Sequence, residues 1–296
     1  MSSRTSAFQT SRVFSTQVVQ SLAQRDASAA AKRISPVLET LDFDTEISLG
    51  QWFDFAFEQI AVNYRNEYFY KNSLVSKIIF GRHSPKTASA LLELPAGGSI
   101  ADLAVLNGTS TVYEVKTDFD SFARLRGQLT DYGKCFDHVN LVTSAERLES
   151  ALSVAPSWVG VLGLRRNGVF TVGRESVGGG ERLDVAVAFE MLRQDEALRL
   201  LHEYQGYEPD VPKGDLWSRS KEVFLEIPRE AAYAGLVKQL KSRGLTGSAL
   251  ATSSSYPKSL RALAYGSKLN RVEMARLVRR LSMKATNKEL FSFSRD

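Results

Sequence analysis

The sequence has a single cysteine, Cys135, and three histidines. One thiol cannot form an internal disulfide bond, and a zinc site built from several cysteines is excluded. His83, His138 and His202 stand far apart and show no metal-ligand spacing. A metal site, if present, is therefore expected to use oxygen ligands, which favour hard cations such as Mg²⁺. The scarcity of cysteine also predicts a reducing compartment, which we take to be the cytoplasm.

The chain also lacks long apolar runs. Its longest apolar stretches have the length of a strand and are interrupted by polar residues, so we expect no membrane-spanning segment. There is no Gly-x-x-x-x-Gly-Lys phosphate loop, which argues against an ATP-driven motor. With 296 residues, of which 43% are apolar and 24% charged, the composition is that of an ordinary globular protein.

Positive charge is unevenly distributed along the chain. Residues 215–296 hold 16 Lys and Arg against 7 Asp and Glu, a net charge of +9, which leaves −4 for residues 1–214. A basic region beside a slightly acidic one is suited to holding a polyphosphate strand, and Arg276, Arg279 and Arg280 are candidates for phosphate contacts. A solvated helical surface explains the same pattern equally well.

Two short stretches carry most of the chemical information. Residues 101–106 and 111–116 alternate apolar and polar residues around an Asn-Gly-Thr-Ser turn sequence, which predicts a β-hairpin. The first strand carries Asp102 and the second carries Glu114 and Lys116. Residues two apart on a strand share a face, so Glu114 and Lys116 point the same way. Such charges on an apolar hairpin are costly unless they pair or hold a metal ion.

This set of groups is suited to metal-dependent phosphodiester chemistry. Asp102, Glu114 and the carbonyl of Val115 would supply oxygen ligands to Mg²⁺ or Mn²⁺, which keeps several waters. Lys116 would lower the pKa of a metal-bound water or stabilise negative charge on a phosphate. The alternative is a weak ion pair between Glu114 and Lys116 on a solvated strand face.

The hairpin geometry makes a specific demand on the turn. A two-residue turn would place Asp102 on the face opposite to Glu114 and Lys116, because faces alternate along a strand. A three-residue loop that pairs Asn107 with Thr111 would instead set Asp102 opposite Lys116 and diagonal to Glu114. We therefore predict a three-residue or bulged turn, or a kink near Asp102.

A helix is predicted over residues 119–136, where apolar residues recur at helical spacing. Gln128 and Tyr132 are four apart and lie on one face, from which Gln128 would reach the attacked phosphate or its water. Arg124 and Arg126 would approach the backbone phosphates. In the alternative interpretation, Tyr132 is half-buried core and Gln128 is solvated.

Further segments complete the expected organisation. An earlier helix over residues 59–80 carries Glu67, which would complete the metal shell, and Asp118 or Asp120 is expected to cap the later helix. We predict a helical N-terminal arm at residues 1–50, a core at 51–206 and a basic helical region at 215–296. The pattern of hairpin, helix, strand, helix and strand gives an α/β core, a mixed sheet flanked by helices.

The combination of these residues resembles the PD-(D/E)XK nuclease superfamily. The resemblance is carried by Asp102, by Glu114-x-Lys116 and by Gln128-x-x-x-Tyr132, the last being similar to the RecB-like and phage-exonuclease branch. Residues 66–68, 81–84 and 107–111 also look like uncharacterised bacterial members of that superfamily. One departure is the residue before the aspartate, which is Ala101 rather than proline.

The resemblance covers roughly residues 58–165 and implies a restriction-endonuclease-like fold with additional helical regions at both ends. It also implies that Asp102 and Glu114 bind metal, that Lys116 is the catalytic lysine, and that Gln128, Tyr132 and Glu67 assist from helices. The leading hypothesis is therefore a Mg²⁺-dependent nuclease acting on nucleic acid, most readily DNA. The alternative is a non-catalytic nucleic-acid-binding or regulatory protein on a nuclease-derived fold.

Overall fold

The computed structural model describes residues 3–41 and 46–285. The chain divides into two compact units. The helical unit comprises the residues up to 86, the short segment 166–168 and the residues from 245 onward, and the sheet unit comprises residues 87–165 and 169–244. The predicted segment boundaries do not coincide with these units. Residues 51–86 group with the N-terminal helices, and residues 215–244 group with the sheet.

The sheet unit is built on a six-stranded mixed sheet in which the strands lie in chain order. The strands are β1 (Ser89–Ala96), β2 (Ser99–Leu106), β3 (Ser110–Val115), β4 (His138–Ser144), β5 (Gly160–Leu164) and β6 (Phe170–Arg174). Strands β1, β2 and β3 pair antiparallel, β3, β4 and β5 pair parallel, and β6 returns antiparallel to β5. The predicted α/β class, a mixed sheet flanked by helices with helical regions at both ends, is confirmed.

The α-helices of the described residues fall in both units. They are α1 (Ser3–Ser11), α2 (Thr16–Ala23), α3 (Ser28–Leu38), α4 (Leu49–Asn63), α5 (Glu67–Leu74), α6 (Leu125–Cys135), α7 (Leu148–Val154), α8 (Val185–Phe189), α9 (Gln194–Gln205), α10 (Leu216–Leu225), α11 (Arg229–Arg243), α12 (Leu245–Ala251), α13 (Arg261–Gly266) and α14 (Arg271–Leu281). A π-helical stretch, Val75–Arg82, continues α5. Helices α6 and α7 are the crossovers that parallel pairing of β3, β4 and β5 requires.

The helical unit is assembled from the two ends of the described chain. The Leu49 N–H donates to the Met283 carbonyl at 2.7 Å, and the Ala285 N–H donates to the Ile47 carbonyl at 2.9 Å. These bonds join the start of α4 to the residues that follow α14. In sequence, the sheet unit is therefore inserted between two halves of the helical unit.

The β2–β3 hairpin has the predicted three-residue loop. Leu106 pairs with Ser110, and Gly108 between them has φ of +79°, a conformation that glycine adopts without steric cost. The register differs by two residues from the predicted one, because the pairing places Asp102 at the position of Glu114 rather than of Lys116. Both registers keep these three residues on one face, as the chemistry requires.

Two predicted helices are shorter than expected. The helix with Gln128 begins at Leu125, because the Asp120 carboxylate accepts from the Thr117 N–H at 2.8 Å and stabilises a turn instead of capping the helix. The helix with Glu67 is not continuous from residue 59. The Asn66 side chain accepts from the Phe69 N–H and starts a new helix there.

Candidate active site

Glu114 is the most deeply buried acid of the predicted set. It lies on β3 with 1% of its surface exposed. Its Oε1 accepts from the Lys116 ammonium at 2.6 Å, and its Oε2 accepts from the Tyr132 hydroxyl at 2.8 Å. A carboxylate in such a position is stable only when it is paired and hydrogen-bonded, and this one is both.

Asp102 lies on β2 across from Glu114. Its Oδ2 accepts from the Val115 N–H at 2.7 Å, which ties the two strands together where regular pairing ends. The N–H and C=O of one residue point to the same side of a strand, so the Val115 carbonyl faces the Asp102 side. On its other side Asp102 is in register with Glu93 of β1, which has φ of +51°. For a residue with a side chain this is a strained backbone.

The backbone of Lys116 is fixed from β4. Its N–H donates to the Val142 carbonyl at 2.8 Å, and its carbonyl accepts from the Thr143 hydroxyl at 2.7 Å. Thr143 is fully buried and holds Lys116 in position without entering the site. The role of Thr143 was not predicted, because β4 also carries His138, Asn140 and Ser144 and nothing in its sequence distinguishes this hydroxyl from the other polar groups.

Tyr132 connects the sheet to α6. It is fully buried, and its hydroxyl is shared between Glu114 and the Ile100 carbonyl, 2.7 Å away. Burial raises the pKa of Tyr132 far above its ordinary value, and the negative charges of Glu114 and Asp102 raise it further. Both carboxylates therefore raise the pKa of the same hydroxyl, which means that both lie close to Tyr132.

Gln128 lies one turn before Tyr132 on α6. A hydrogen bond from its side chain opposes the rise in the Tyr132 pKa, so the Gln128 amide lies against that hydroxyl. Its Oε1 is buried and has no hydrogen-bond partner among the described residues. The structure thus brings together Asp102, Glu114, Lys116, Gln128 and Tyr132, and we name these five residues the Glu114 cluster.

The position of α6 is fixed by the β1–β2 turn. The Ser99 hydroxyl donates to Asp131 on α6 at 2.6 Å. Gly97 in the same turn has φ of +61°, and a Cβ there would lie 3.0 Å from the Asp131 Cβ. Because glycine alone fits this approach without strain, the turn holds α6 close to β2.

The other predicted site residues lie elsewhere. Glu67 belongs to the helical unit, where it forms an ion pair with Lys71 one turn along α5. Arg124 and Arg126 are exposed at the start of α6 and remain candidates for phosphate contacts.

Two of the three basic residues predicted on α14 make structural contacts. Arg280 is 5% exposed, and its guanidinium donates to the carbonyls of Leu22, Gln24 and Arg25 at the end of α2. Arg276 donates to the Ala23 carbonyl at 2.7 Å. The prediction that Arg280 contacts nucleic acid is therefore wrong, because its donors are already used inside the fold. Arg279 is exposed, and its predicted role stays a prediction.

The donor set near Glu114 is small but of the right chemistry for Mg²⁺. No group of three or more His, Cys, Asp or Glu residues within residues 3–41 and 46–285 is arranged to hold a metal ion. Mg²⁺, however, commonly takes one or two carboxylates and completes its shell with water and substrate phosphate. Each carboxylate oxygen also has two acceptor sites, so the bonds from Lys116 and Tyr132 do not exhaust Glu114. The donor chemistry of Asp102, Glu114 and the Val115 carbonyl is therefore that of a magnesium ligand set, and binding of the ion stays a prediction.

A sequence profile described as Bacteriophage P4 protein cII matches residues 60–264, more than half of the chain. The chain belongs to the bacteriophage P4 protein cII family. The whole Glu114 cluster lies inside the matched range. None of the helices in the described part of this family member is long and apolar enough to cross a membrane.

Two individual proteins are similar to this member of the protein cII family. Protein cII of Enterobacteria phage P4 is 37% identical over 67 residues, which make up 23% of this chain and 25% of that relative. The chain thus matches about a quarter of the length of this curated relative. The SPO1766 protein of unknown function from Silicibacter pomeroyi is 20% identical, with a TM-score of 0.27, over 43% of this chain and 87% of that one. The resemblance to PD-(D/E)XK nucleases stays a prediction.

Proposed function

We propose that this protein is a metal-dependent nuclease that hydrolyses phosphodiester bonds of nucleic acid, with DNA as the expected substrate and the cytoplasm as its compartment. The observation that carries the proposal is the buried Glu114 carboxylate held between Lys116 and Tyr132, with Asp102 beside it. Charged groups are costly at such a depth, and catalysis is a function that uses them.

The proposal gives each residue of the Glu114 cluster a task. Asp102, Glu114 and the Val115 carbonyl would hold Mg²⁺ or Mn²⁺, and the ion would supply an activated water and stabilise charge on the phosphate. Lys116 holds a positive charge next to Glu114 and would stabilise the negative charge that develops on the phosphate. Tyr132 keeps Glu114 in one orientation. Gln128 has an unused carbonyl oxygen with which it would orient the attacking water.

Cleavage assays on single-stranded, duplex and branched DNA, and on RNA, with Mg²⁺ or with a chelator, test this proposal. Asp102→Asn keeps an acceptor for the Val115 N–H but removes the charge, so we expect a loss of cleavage of at least 100-fold in a protein that still folds. Asp195→Ala removes an exposed acid from α9 of the same unit and should leave cleavage unchanged. Full activity of Asp102→Asn would reject the assignment.

A second candidate is a nucleic-acid-binding or regulatory protein without turnover. It is favoured by the small number of acidic ligands near Glu114, since no larger acidic group is found in the part of the chain that the structure describes. Binding to the same substrates, without cleavage in Mg²⁺ or Mn²⁺, would support this candidate over the nuclease.

A further inference from the structure

The helical unit contains a cavity of about 740 Å³. Its lining includes the cations of Lys258 and Arg261, the ring of Phe80 and the consecutive serines 253–255. We name it the Arg261 cavity. A volume of this size is typical of pockets for small molecules. Helix α12 ends at Ala251, and the serines that follow it form one wall of the cavity.

The two cations are placed on a short 3₁₀ turn, Lys258–Leu260, which leads into α13. Residues three apart in such a turn lie on one face, so Lys258 and Arg261 point to the same side. The turn is held by α4 and α5. The Asp54 carboxylate accepts from the Ser259 N–H at 2.9 Å, and the buried Tyr68 hydroxyl donates to the Ser259 carbonyl.

Asn72 holds the same turn with both ends of its amide. Its Nδ2 donates to the Lys258 carbonyl at 3.0 Å, and its Oδ1 accepts from the Ala262 N–H at 2.9 Å. Asn72 is buried, so these bonds are protected from water. Three side chains therefore fix the backbone that carries the two cations, and a site fixed in this way loses little entropy when a ligand binds.

Arg261 has an unused hydrogen-bonding capacity. Its guanidinium lies over the Phe80 ring, with the Cζ atom 3.9 Å from the ring centre. Its Nε is buried and has no hydrogen-bond partner within the described residues. Burial lowers the pKa of Arg261, while the charge of Asp54, which also lines the cavity, raises it. The Asp54 carboxylate itself accepts a hydrogen bond from the Ser259 N–H. A buried guanidinium N–H without an acceptor is costly, and an anion bound beside Arg261 would reduce that cost.

We propose that the Arg261 cavity binds the phosphate group of a small phosphorylated molecule of nucleotide size, between the guanidinium of Arg261, the ammonium of Lys258 and the serine hydroxyls. Guanidinium, ammonium and hydroxyl groups are the donors that recognise phosphate oxygens. This site belongs to the helical unit and does not depend on the nuclease proposed for the sheet unit.

The test is calorimetric titration of inorganic phosphate and of AMP into the full-length protein at fixed ionic strength. We expect saturable binding. Tighter binding of AMP assigns the site to a nucleotide, and equal binding assigns it to the free anion. Arg261→Gln and Lys258→Gln should each weaken binding about tenfold or more, because each removes a charge-assisted hydrogen bond. Arg271→Gln, an exposed change on α14, should bind as the unmodified protein does.

Two controls separate loss of phosphate binding from loss of folding and from loss of cleavage. Lys258 is exposed, so its variant is expected to fold, and Asp102→Asn should bind AMP normally whatever its cleavage activity. No saturable binding of either probe at millimolar concentration would overturn the proposal, as would an affinity in both cavity variants that is unchanged from that of the unmodified protein. Binding of a DNA oligonucleotide through Lys258 and Arg261, without binding of phosphate or AMP, would also overturn it.

Discussion

Buried charge has different partners in the sheet unit and in the helical unit. In the sheet unit, acids meet full opposite charges: Glu114 pairs with Lys116, and Glu196 pairs with the Arg243 guanidinium, which donates to both of its oxygens. These pairs neutralise each other inside the fold.

In the helical unit, buried or half-buried arginines meet weaker partners. Arg280 is surrounded by carbonyl oxygens, which carry partial charge, and Arg261 lies on the Phe80 ring. The largely buried cations of the sheet unit, Lys116 and Arg243, are thus compensated by acids, and so is Lys71 of the helical unit, which pairs with Glu67. Arg261 differs, because it has no ion-pair partner among the described residues. An anion beside Arg261 would therefore compensate a charge that the fold leaves without an ion pair.

The largest expected effect tests the compensation in the sheet unit. Lys116→Met leaves Glu114 buried without its counter-charge, and we expect the free energy of unfolding to fall by about 3–5 kcal/mol. Urea denaturation measures the change. Arg261→Met should cost far less, because it removes a charge that has no ion-pair partner in the described residues. The double variant Glu114→Gln/Lys116→Met should recover most of the loss, and a double variant as unstable as Lys116→Met would contradict the pairing.

A smaller effect compares two buried tyrosines. Tyr132→Phe removes a donor from the Glu114 carboxylate, which should cost about 1.5–3 kcal/mol of unfolding free energy. In the helical unit the Tyr265 hydroxyl lies 3.0 Å from the Ser248 hydroxyl, a neutral partner, so Tyr265→Phe should cost about 1 kcal/mol. Denaturant midpoints measured at one pH give both values. Equal losses of unfolding free energy would show that the hydrogen bond from Tyr132 to the Glu114 carboxylate is no stronger than the bond between the Tyr265 and Ser248 hydroxyls.

The smallest expected effect concerns the backbone. Glu93 in the sheet unit and Lys268 in the helical unit both have positive φ, +51° and +47°. At each position we expect the glycine variant to be more stable than the alanine variant by about 0.5–1 kcal/mol. Ile100, an exposed strand residue, serves as the control and should show the opposite order. Thermal unfolding of the paired variants measures the order.

The sequence allowed the chemistry around Glu114 to be predicted because local rules determine it. Alternation along residues 101–116 predicted the hairpin, and the need to keep Asp102 on the face of Glu114 predicted a three-residue loop. The four-residue spacing of Gln128 and Tyr132 placed both on one side of α6. These inferences use only the periodicity of strands and helices.

Contacts between distant segments were not predictable in the same way. The local sequence pattern predicts Arg280 to be a surface cation on a basic helix. Nothing in that pattern shows that carbonyl groups at the end of α2 accept its hydrogen bonds. The role of Thr143 becomes visible only when β3 is placed beside β4. The two units were not predictable for the same reason, since the helical unit joins segments almost 160 residues apart in the chain.

The bonds that join Leu49 to Met283 and Ile47 to Ala285 have a consequence for synthesis. A ribosome that has translated residue 244 has released every strand of the sheet, but α12, α13 and α14 do not yet exist. Helices α1 to α5 can then pack on one another but still lack their contacts with α13 and α14, while the sheet unit is already complete in sequence. During synthesis the sheet unit can thus fold before the helical unit, although the helical unit begins first in the chain. The need of the nascent chain for chaperones should be greatest just before the last helices emerge.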